Sequence, residues 1–369
     1  MESAKITPMQ WFCLIFLFEL GSSIVVGLGL EAKQDAWIAI LLAMIGGLIL
    51  YGVFGSLHRH YPDLTLTGYI RCILGNILGW PLGLVYIVYF IYIGSRVLRD
   101  ISTLLTTAWL DRTPLVVIHM MLILSMAYIL YHGPKVLAKT NQIYFYVYVF
   151  SLLLSIALIV ASGLIRLDFL LPVGEDWGLI LSTAYPMVYT FPFGETIVFT
   201  MMLPYLKNPR SGLKIGWLAI IISGLFISLL SAIDISVTGA HIASRSPFPL
   251  MSTMTKVNIK DFIQRVDMLT IMILVIGGFF KIVIFYFAAV LGTADLFRIK
   301  DRGRLLLPIG IIFVFLAMMI SSSLSEHLKQ GLEIVPRYLH LPLQTGIPLL
   351  LLGVSWIKRR MGRSQHPRP

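Results

Sequence analysis

Charge is scarce in this chain. Only 13% of its residues are Asp, Glu, Lys or Arg, against about 25% in an average soluble domain. The apolar set reaches 57% and mean hydropathy is +0.86. A soluble globule of 369 residues built this way would lack the polar surface needed to cover itself. The same numbers exclude intrinsic disorder. Cysteine is nearly absent: Cys13 lies in an apolar run and Cys72 in a short connection, and two such residues build neither a disulfide framework nor a zinc cluster. No GxxxxGK[ST] phosphate loop occurs, which removes an ATP-driven engine. No histidine pair at zinc spacing and no plausibly placed Ser-His-Asp group can be assembled, so no metal, cofactor or enzyme chemistry is expected.

What the chain has is long apolar runs. A membrane helix needs about 20 mostly apolar residues. Runs of that kind begin near Pro8, Ala36, Gly79, Pro114, Ile143, Gly178, Lys214, Val266, Leu305 and Leu341. The expectation is an all-α integral membrane protein of about ten spans, folded as a single transmembrane domain over residues 1–369. The first run is read as a span rather than a signal peptide, because Glu19 interrupts it and no small-x-small cleavage site follows. The longest connections, His58–Leu78, Gly239–Arg265 and Ser321–His340, are too short for a soluble domain. Thr65–Ile77 and Val257–Arg265 are expected to form short interfacial helices.

The net charge of +11 points to anionic lipid rather than nucleic acid in a chain of this class. With ten spans, 17 Lys and Arg residues fall on the side holding the N-terminus and 9 on the other. That bias predicts cytoplasmic termini.

Two spans carry the signs of interrupted helices. The first reads Phe18-Glu19-Leu20-Gly21-Ser22-Ser23-Ile24-Val25-Val26-Gly27. Glycine weakens a helix, and serine relieves a broken ladder by bonding to the backbone, so a break is expected around Gly21, Ser22 and Ser23. The sixth reads Tyr185-Pro186-Met187-Val188-Tyr189-Thr190-Phe191-Pro192-Phe193-Gly194-Glu195. Pro192 removes a backbone donor. A helix restarting near Gly194 places Glu195 in its first turn, where the dipole favours a carboxylate. Interrupted spans at corresponding positions of two five-span halves point to an inverted-repeat transporter core with a midplane ligand site. The first repeat is drawn at about 6–163, and the second at about 178–320 with a terminal helix at about 341–358. The candidate ligand residues are Gly21, Ser22, Ser23 and Val25 of the first span, and Tyr189, Thr190, Phe191, Phe193 and Gly194 of the sixth.

Charges inside spans are expensive and mark function or pairing. Glu19, Arg96, Glu195 and Lys281 are the candidate coupling or gating charges. Arg96 and Asp100 stand four apart and are expected to pair on one helix face. Lys281 has no carboxylate one turn away. It either contacts the first-span break as a fixed cation in the place of a coupling sodium, or pairs with Glu19 or Glu195 for packing. His119 is read as a packed or interfacial histidine and Asp234 as solvated. Trp37, Trp80, Trp109, Trp217, Trp356 and the run Tyr144–Tyr148 are read as interface anchors.

At these residues the chain resembles a known family. Glu31-Ala32-Lys33-Gln34-Asp35-Ala36-Trp37-Ile38, Gly94-Ser95-Arg96-Val97-Leu98-Arg99-Asp100, Thr190-Phe191-Pro192-Phe193-Gly194-Glu195-Thr196, Pro247-Phe248-Pro249-Leu250 and Gly277-Gly278-Phe279-Phe280-Lys281 are similar to signatures of the B subunits of spore germination receptors. The resemblance runs from about Ile6 to Arg360. It implies membership of the amino acid–polyamine–organocation superfamily and a LeuT-like, five-plus-five inverted fold. It further implies residence in the spore inner membrane beside an A subunit and a lipoprotein C subunit. The implied activity is sensing of a nutrient germinant, commonly an amino acid. Gly21-Ser22-Ser23 stands where superfamily transporters often have Gly-Ser-Gly, with Ser23 departing from that pattern. Two other readings share the fold: a sodium-independent amino acid transporter, and a channel-like or scaffolding subunit with a vestigial site.

Overall fold

A computed structural model describes residues 5–257, 267–321 and 323–361. Thr7 opens the first helix with a capping box. Its hydroxyl accepts from the Gln10 N–H, the Gln10 side chain accepts from the Thr7 N–H, and Pro8 supplies the first turn. The helices, in chain order, are α1 (Pro8–Val26), α2 (Ala36–His60), α3 (Leu66–Ala108), α4 (Leu115–Tyr131), α5 (Pro134–Ala161), α6 (Trp177–Thr183), α7 (Pro209–Thr238), α8 (Ala240–Ala243), α9 (Pro249–Met254), α10 (Asp267–Leu296), α11 (Gly303–Met319), α12 (Leu324–Lys329) and α13 (Ile347–Arg360). Among the described residues seven helices are long and apolar enough to cross a membrane. The shorter apolar α4, the pair α11 and α12 bent by 110°, and the irregular segment after α6 account for the remaining spans. This is an all-α integral membrane protein.

α1 and α10 form the centre. Both are apolar on every side and almost wholly buried, as helices surrounded by other helices must be. α4 and α5 sit at the rim, where Met120, Met121, Leu124, Ile143 and Phe150 are exposed on what a bilayer would cover. The two central helices touch backbone to backbone. A Cβ on Gly21 would stand 2.6 Å from the carbonyl oxygen of Gly277, so only glycine permits this approach.

That contact explains where the first span departs from expectation. α1 runs through Gly21, Ser22 and Ser23 without interruption, and Ser23 Oγ donates to the Glu19 carbonyl at 2.5 Å. The chain turns instead at Gly27 (φ +65°) and Gly29 (φ +70°), where positive φ favours glycine. Gly21 serves close packing, not bending.

The region Ser321–His340 also differs from the expected loop. Ser323 caps α12 by accepting from the Glu326 N–H at 3.2 Å. Helical turns then continue through Gln330–Ile334 and Pro336–Gly346 into α13. Lys329, Glu333 and Arg337 face outward while His327, His340 and Gln344 are buried. The polarity that reads as a solvated connection is one face of an inserted helix.

Asp234, expected to be solvated, is 6% exposed and accepts from Thr253 Oγ1 at 2.6 Å. α9 thereby folds back on α7, and Pro249 packs on Gly27. Of the run Tyr144–Tyr148, Phe145 and Tyr148 are buried against Phe16 of α1, while Tyr144 and Tyr146 lie at the surface. His119 is fully buried, as a packed histidine. Residues 66–74 form a short helix set off from the rest of α3 by Gly75 (φ +77°), within the stretch Thr65–Ile77 expected to form a short helix. Most of the second such element, Val257–Arg265, lies outside the described residues.

At the N-terminal end, Ile6 is stitched to the segment after the sixth span. Its N–H donates to the Tyr205 carbonyl at 2.8 Å, and its own carbonyl accepts from the Lys207 N–H at 2.9 Å.

Candidate functional site

The sixth span is irregular for reasons visible in its residues. Tyr185 leaves helical geometry (φ −126°, ψ +124°) just before Pro186, and wide turns follow over Ala184–Val188. Thr190 Oγ1 donates to the carbonyls of Pro186 at 2.8 Å and Met187 at 3.1 Å. Both carbonyls also accept a backbone N–H, from Tyr189 and Phe191, so the hydroxyl adds a second donor to the irregular turns ahead of Pro192. After Pro192 the chain tightens into a 3-10 helix, Phe193–Met201, with Glu195 in its first turn, the placement expected from the sequence.

Glu195 is the hub. Its Oε2 stands 2.5 Å from Lys281 Nζ, and neither side chain is more than 2% exposed. The ammonium also lies over the rings of Phe18 at 4.8 Å and Phe191 at 4.6 Å, which offset part of its lost hydration. The other carboxylate oxygen is 3.9 Å from His340 Nε2. His340 Nδ1 is 2.6 Å from the Tyr89 hydroxyl and 3.0 Å from the Gln344 amide nitrogen. An amide N–H can only donate, so Nδ1 accepts and Nε2 carries the ring proton toward Glu195. Gln344 also donates to Tyr89 Oη at 2.7 Å.

A cavity of about 40 Å3 opens beside this hub. Arg96 and Asp100 line it from α3, Phe191 and Glu195 from the sixth span, His327 from α12 and His340 from the turns that lead into α13, with Val26 also in the lining. Arg96 and Asp100 do not pair with each other as their spacing suggests. Arg96 donates to the His327 carbonyl at 2.5 Å and the Tyr92 hydroxyl at 3.3 Å. Asp100 Oδ1 lies 2.8 Å from His327 Nε2. His327 therefore stands between them, taking Arg96 on its backbone and Asp100 on its ring. The guanidinium has five N–H donors, so these two bonds leave donors for a ligand.

Of the residues singled out from sequence, Arg96, Phe191 and Glu195 line the cavity, and Lys281 lies one layer behind, bound to Glu195. The others fall elsewhere. Gly21 is closed off by Gly277. Ser22 and Val25 are buried in α1, and Ser23 is turned onto its own helix. Tyr189 bonds Thr345 Oγ1 at 2.9 Å, and Thr190 serves the backbone. Phe193 packs on Gly47 of α2, and Gly194 faces the Gln344 amide. Glu19 is fully buried, with no hydrogen bond to either carboxylate oxygen among the described residues.

Sequence reasoning missed Asp100 as a cavity residue, Tyr89, and all of His327, His340 and Gln344. A signal exists for the last three. Ser323 and Glu326 mark a helix start. Beyond it, His327, Gly331 and Val335, then His340 and Gln344, recur at four-residue steps along one face.

Residues 5–325 match the profile of the family described as spore germination protein. The chain belongs to the spore germination protein family. It is 36% identical to spore germination protein KB of Bacillus subtilis (strain 168) over 99% of this chain and 98% of that one. Spore germination protein B2 of the same organism is 23% identical over 98% of each chain. In three dimensions this spore germination protein is similar to Mhp1, a nucleobase-cation-symport-1 family transporter in a closed conformation with bromovinylhydantoin bound. The TM-score is 0.70 over 96% of this chain and 79% of that one, at 14% identity. MhsT in complex with L-phenylalanine gives 0.65 over 96% and 89%, also at 14% identity. These likenesses place the chain in the LeuT-like fold that the family resemblance implied.

Proposed function

We propose that this chain is the germinant-sensing membrane subunit of a spore germination receptor, and that its ligand is an amino acid held in the cavity between α3, the sixth span and the last span. The observation that carries this reading is the charge pattern of the cavity wall. A buried arginine with unused donors faces buried carboxylates, Asp100 and Glu195, across one small cavity. Fixed charges of both signs in a water-poor site suit a zwitterion, whose carboxylate Arg96 can grip bidentately and whose ammonium a carboxylate can receive. MhsT, of the same fold, carries an amino acid in its structure, which supports this class of ligand.

The ligand acts by binding two conformations unequally. Glu195 faces the cavity and also holds Lys281, so it is the residue through which occupancy reaches the central helices. On this reading the chain sits in the spore inner membrane with both termini in the cytoplasm, as the Lys and Arg bias favours. It works with A-type and C-type receptor partners.

The test is germination of spores carrying this chain with such partners, challenged with single amino acids and sugars. Wild type responds to an amino acid. Arg96→Gln loses that response while the chain remains in the membrane at normal level. An unchanged dose–response in Arg96→Gln would place the sensor elsewhere. Accumulation of labelled amino acid by liposomes containing the chain alone would move the assignment to transport.

A further inference from the structure

Among the described residues, two buried acids and one buried base meet where α1, α10 and the sixth span come together. Lys281 of α10 is committed to Glu195. Glu19 of α1 is equally buried, yet neither of its oxygens has a hydrogen bond among the described residues, and the neighbouring Ser22 hydroxyl is unpartnered too. Ser23 gives no help, because its hydroxyl is bound to the Glu19 carbonyl. Among the described residues the surrounding elements supply no second cation. α10 presents Lys281 and the sixth span Glu195. α5 presents the Tyr148 phenol, whose oxygen has no hydrogen-bond partner among the described residues. On α3, Arg96 and Asp100 are engaged by Tyr92 and His327. On α7, Asp234 is held by Thr253, and α9 carries no titratable side chain.

A carboxylate ion without a hydrogen bond or a counter-ion of its own does not persist in such a place; the group takes a proton instead. Lys281 also lies against α1, the helix that carries Glu19. Its Cβ lies 3.1 Å from where a Cβ on Gly21 would stand, so its stem runs along α1. Its ammonium sits 4.8 Å from the ring of Phe18, the residue beside Glu19.

We propose that Glu19 is a proton-holding site and that Glu19 and Glu195 are alternative partners for Lys281. In the arrangement described here, Lys281 binds Glu195 and Glu19 is a neutral acid. When a cationic group in the cavity engages Glu195, the Lys281 ammonium passes to Glu19, whose O–H bond breaks. The proton leaves to water, and the new carboxylate pairs with Lys281. One cationic group arrives at Glu195 and one proton departs from Glu19, so these three side chains keep their charge balance; a carboxylate on the same ligand is matched by Arg96. Cavity occupancy thereby becomes a change in the bond between α1 and α10. The proton site concerns the chain's own charges and stands whether or not the cavity ligand is an amino acid.

The test needs no ligand. Infrared spectra of the purified full chain in lipid nanodiscs at neutral pH report protonated carboxyl groups by their C=O stretch, which shifts on exchange into D2O. Wild type minus Glu19→Gln is expected to show one protonated carboxyl equivalent. In Glu195→Gln, Lys281 has only Glu19 to pair with, and that equivalent disappears. If Glu195→Gln does not fold, Lys281→Met decides: two acids without a base give two equivalents assignable to Glu19 and Glu195. Absence of the wild-type band, its persistence at full amplitude in Glu195→Gln, or fewer than two equivalents in Lys281→Met would each overturn the proposal.

Discussion

Replacing Lys281 by methionine keeps most of the apolar stem and removes the charged end, so the variant reports chiefly what the ion pair contributes. Glu195 is left at 2% exposure without a cation. Breaking a buried pair by removing one partner costs about 3–5 kcal/mol. An independent route gives a similar figure. Folding would have to neutralise Glu195, and carrying a carboxyl of ordinary pKa ~4.3 to its neutral form at pH 7 costs about 1.36 kcal/mol per pH unit, or roughly 3.7 kcal/mol. The second route fixes the sign with pH. The deficit is full above the ordinary carboxyl range and shrinks as pH falls toward it, to about 1 kcal/mol at pH 5. For a chain of this size the neutral-pH loss corresponds to a fall in Tm of about 5 °C. The assay is thermal unfolding in detergent at several pH values, followed by tryptophan fluorescence. Glu195→Gln added to Lys281→Met is expected to recover most of the loss, since a buried pair replaced on both sides is tolerated. An unshifted Tm in Lys281→Met, or a double variant no better than the single one, would refute the reasoning.

Other outcomes follow from contacts elsewhere. Gly21→Val drives a side chain into the Gly277 carbonyl and is expected to cost about 1–3 kcal/mol or more, read as lower Tm and poorer recovery of monodisperse protein. Thr253→Val leaves the buried Asp234 carboxyl without its donor; the expected loss is about 1–3 kcal/mol, checked by the same melt. His327→Ala removes the ring that holds Asp100 and is expected to weaken the germinant response more than it lowers Tm, measured as the concentration for half-maximal germination.

Much of the fold was legible because membrane insertion writes its demands locally. Apolar runs of the right length marked the spans, and the few charges inside them marked the centre: Glu195 and Lys281 meet there, and Arg96 lines the cavity. Pro192 located the restart of the sixth span for the same reason, since a proline acts on the turn that contains it. Gly21 misled because one residue type has two uses. A glycine that bends a helix and a glycine that admits a neighbour look alike until the opposite surface is known, and here that surface is Gly277, 256 positions later in the chain. The last span misled because a helix inserted with a polar face has the average polarity of a loop. Only the four-residue spacing of His327, Gly331, Val335 and then His340, Gln344 separates the two. Tyr89 carried no local mark at all; its role exists only through His340 and Gln344.

The backbone stitch at Ile6 gives the chain a mechanical linkage away from its centre. Ile6 leads directly into α1, and its partners Tyr205 and Lys207 follow directly on the 3-10 run that begins at Phe193. The start of one central rod and the tail of the irregular span are thus buckled together at one face of the bundle. A pull on either is felt by the other without crossing the charged hub. An epitope tag or truncation reaching Ile6 acts on that buckle, so labels for tracking this protein belong on the far side of Thr7 only if they leave the stitch intact.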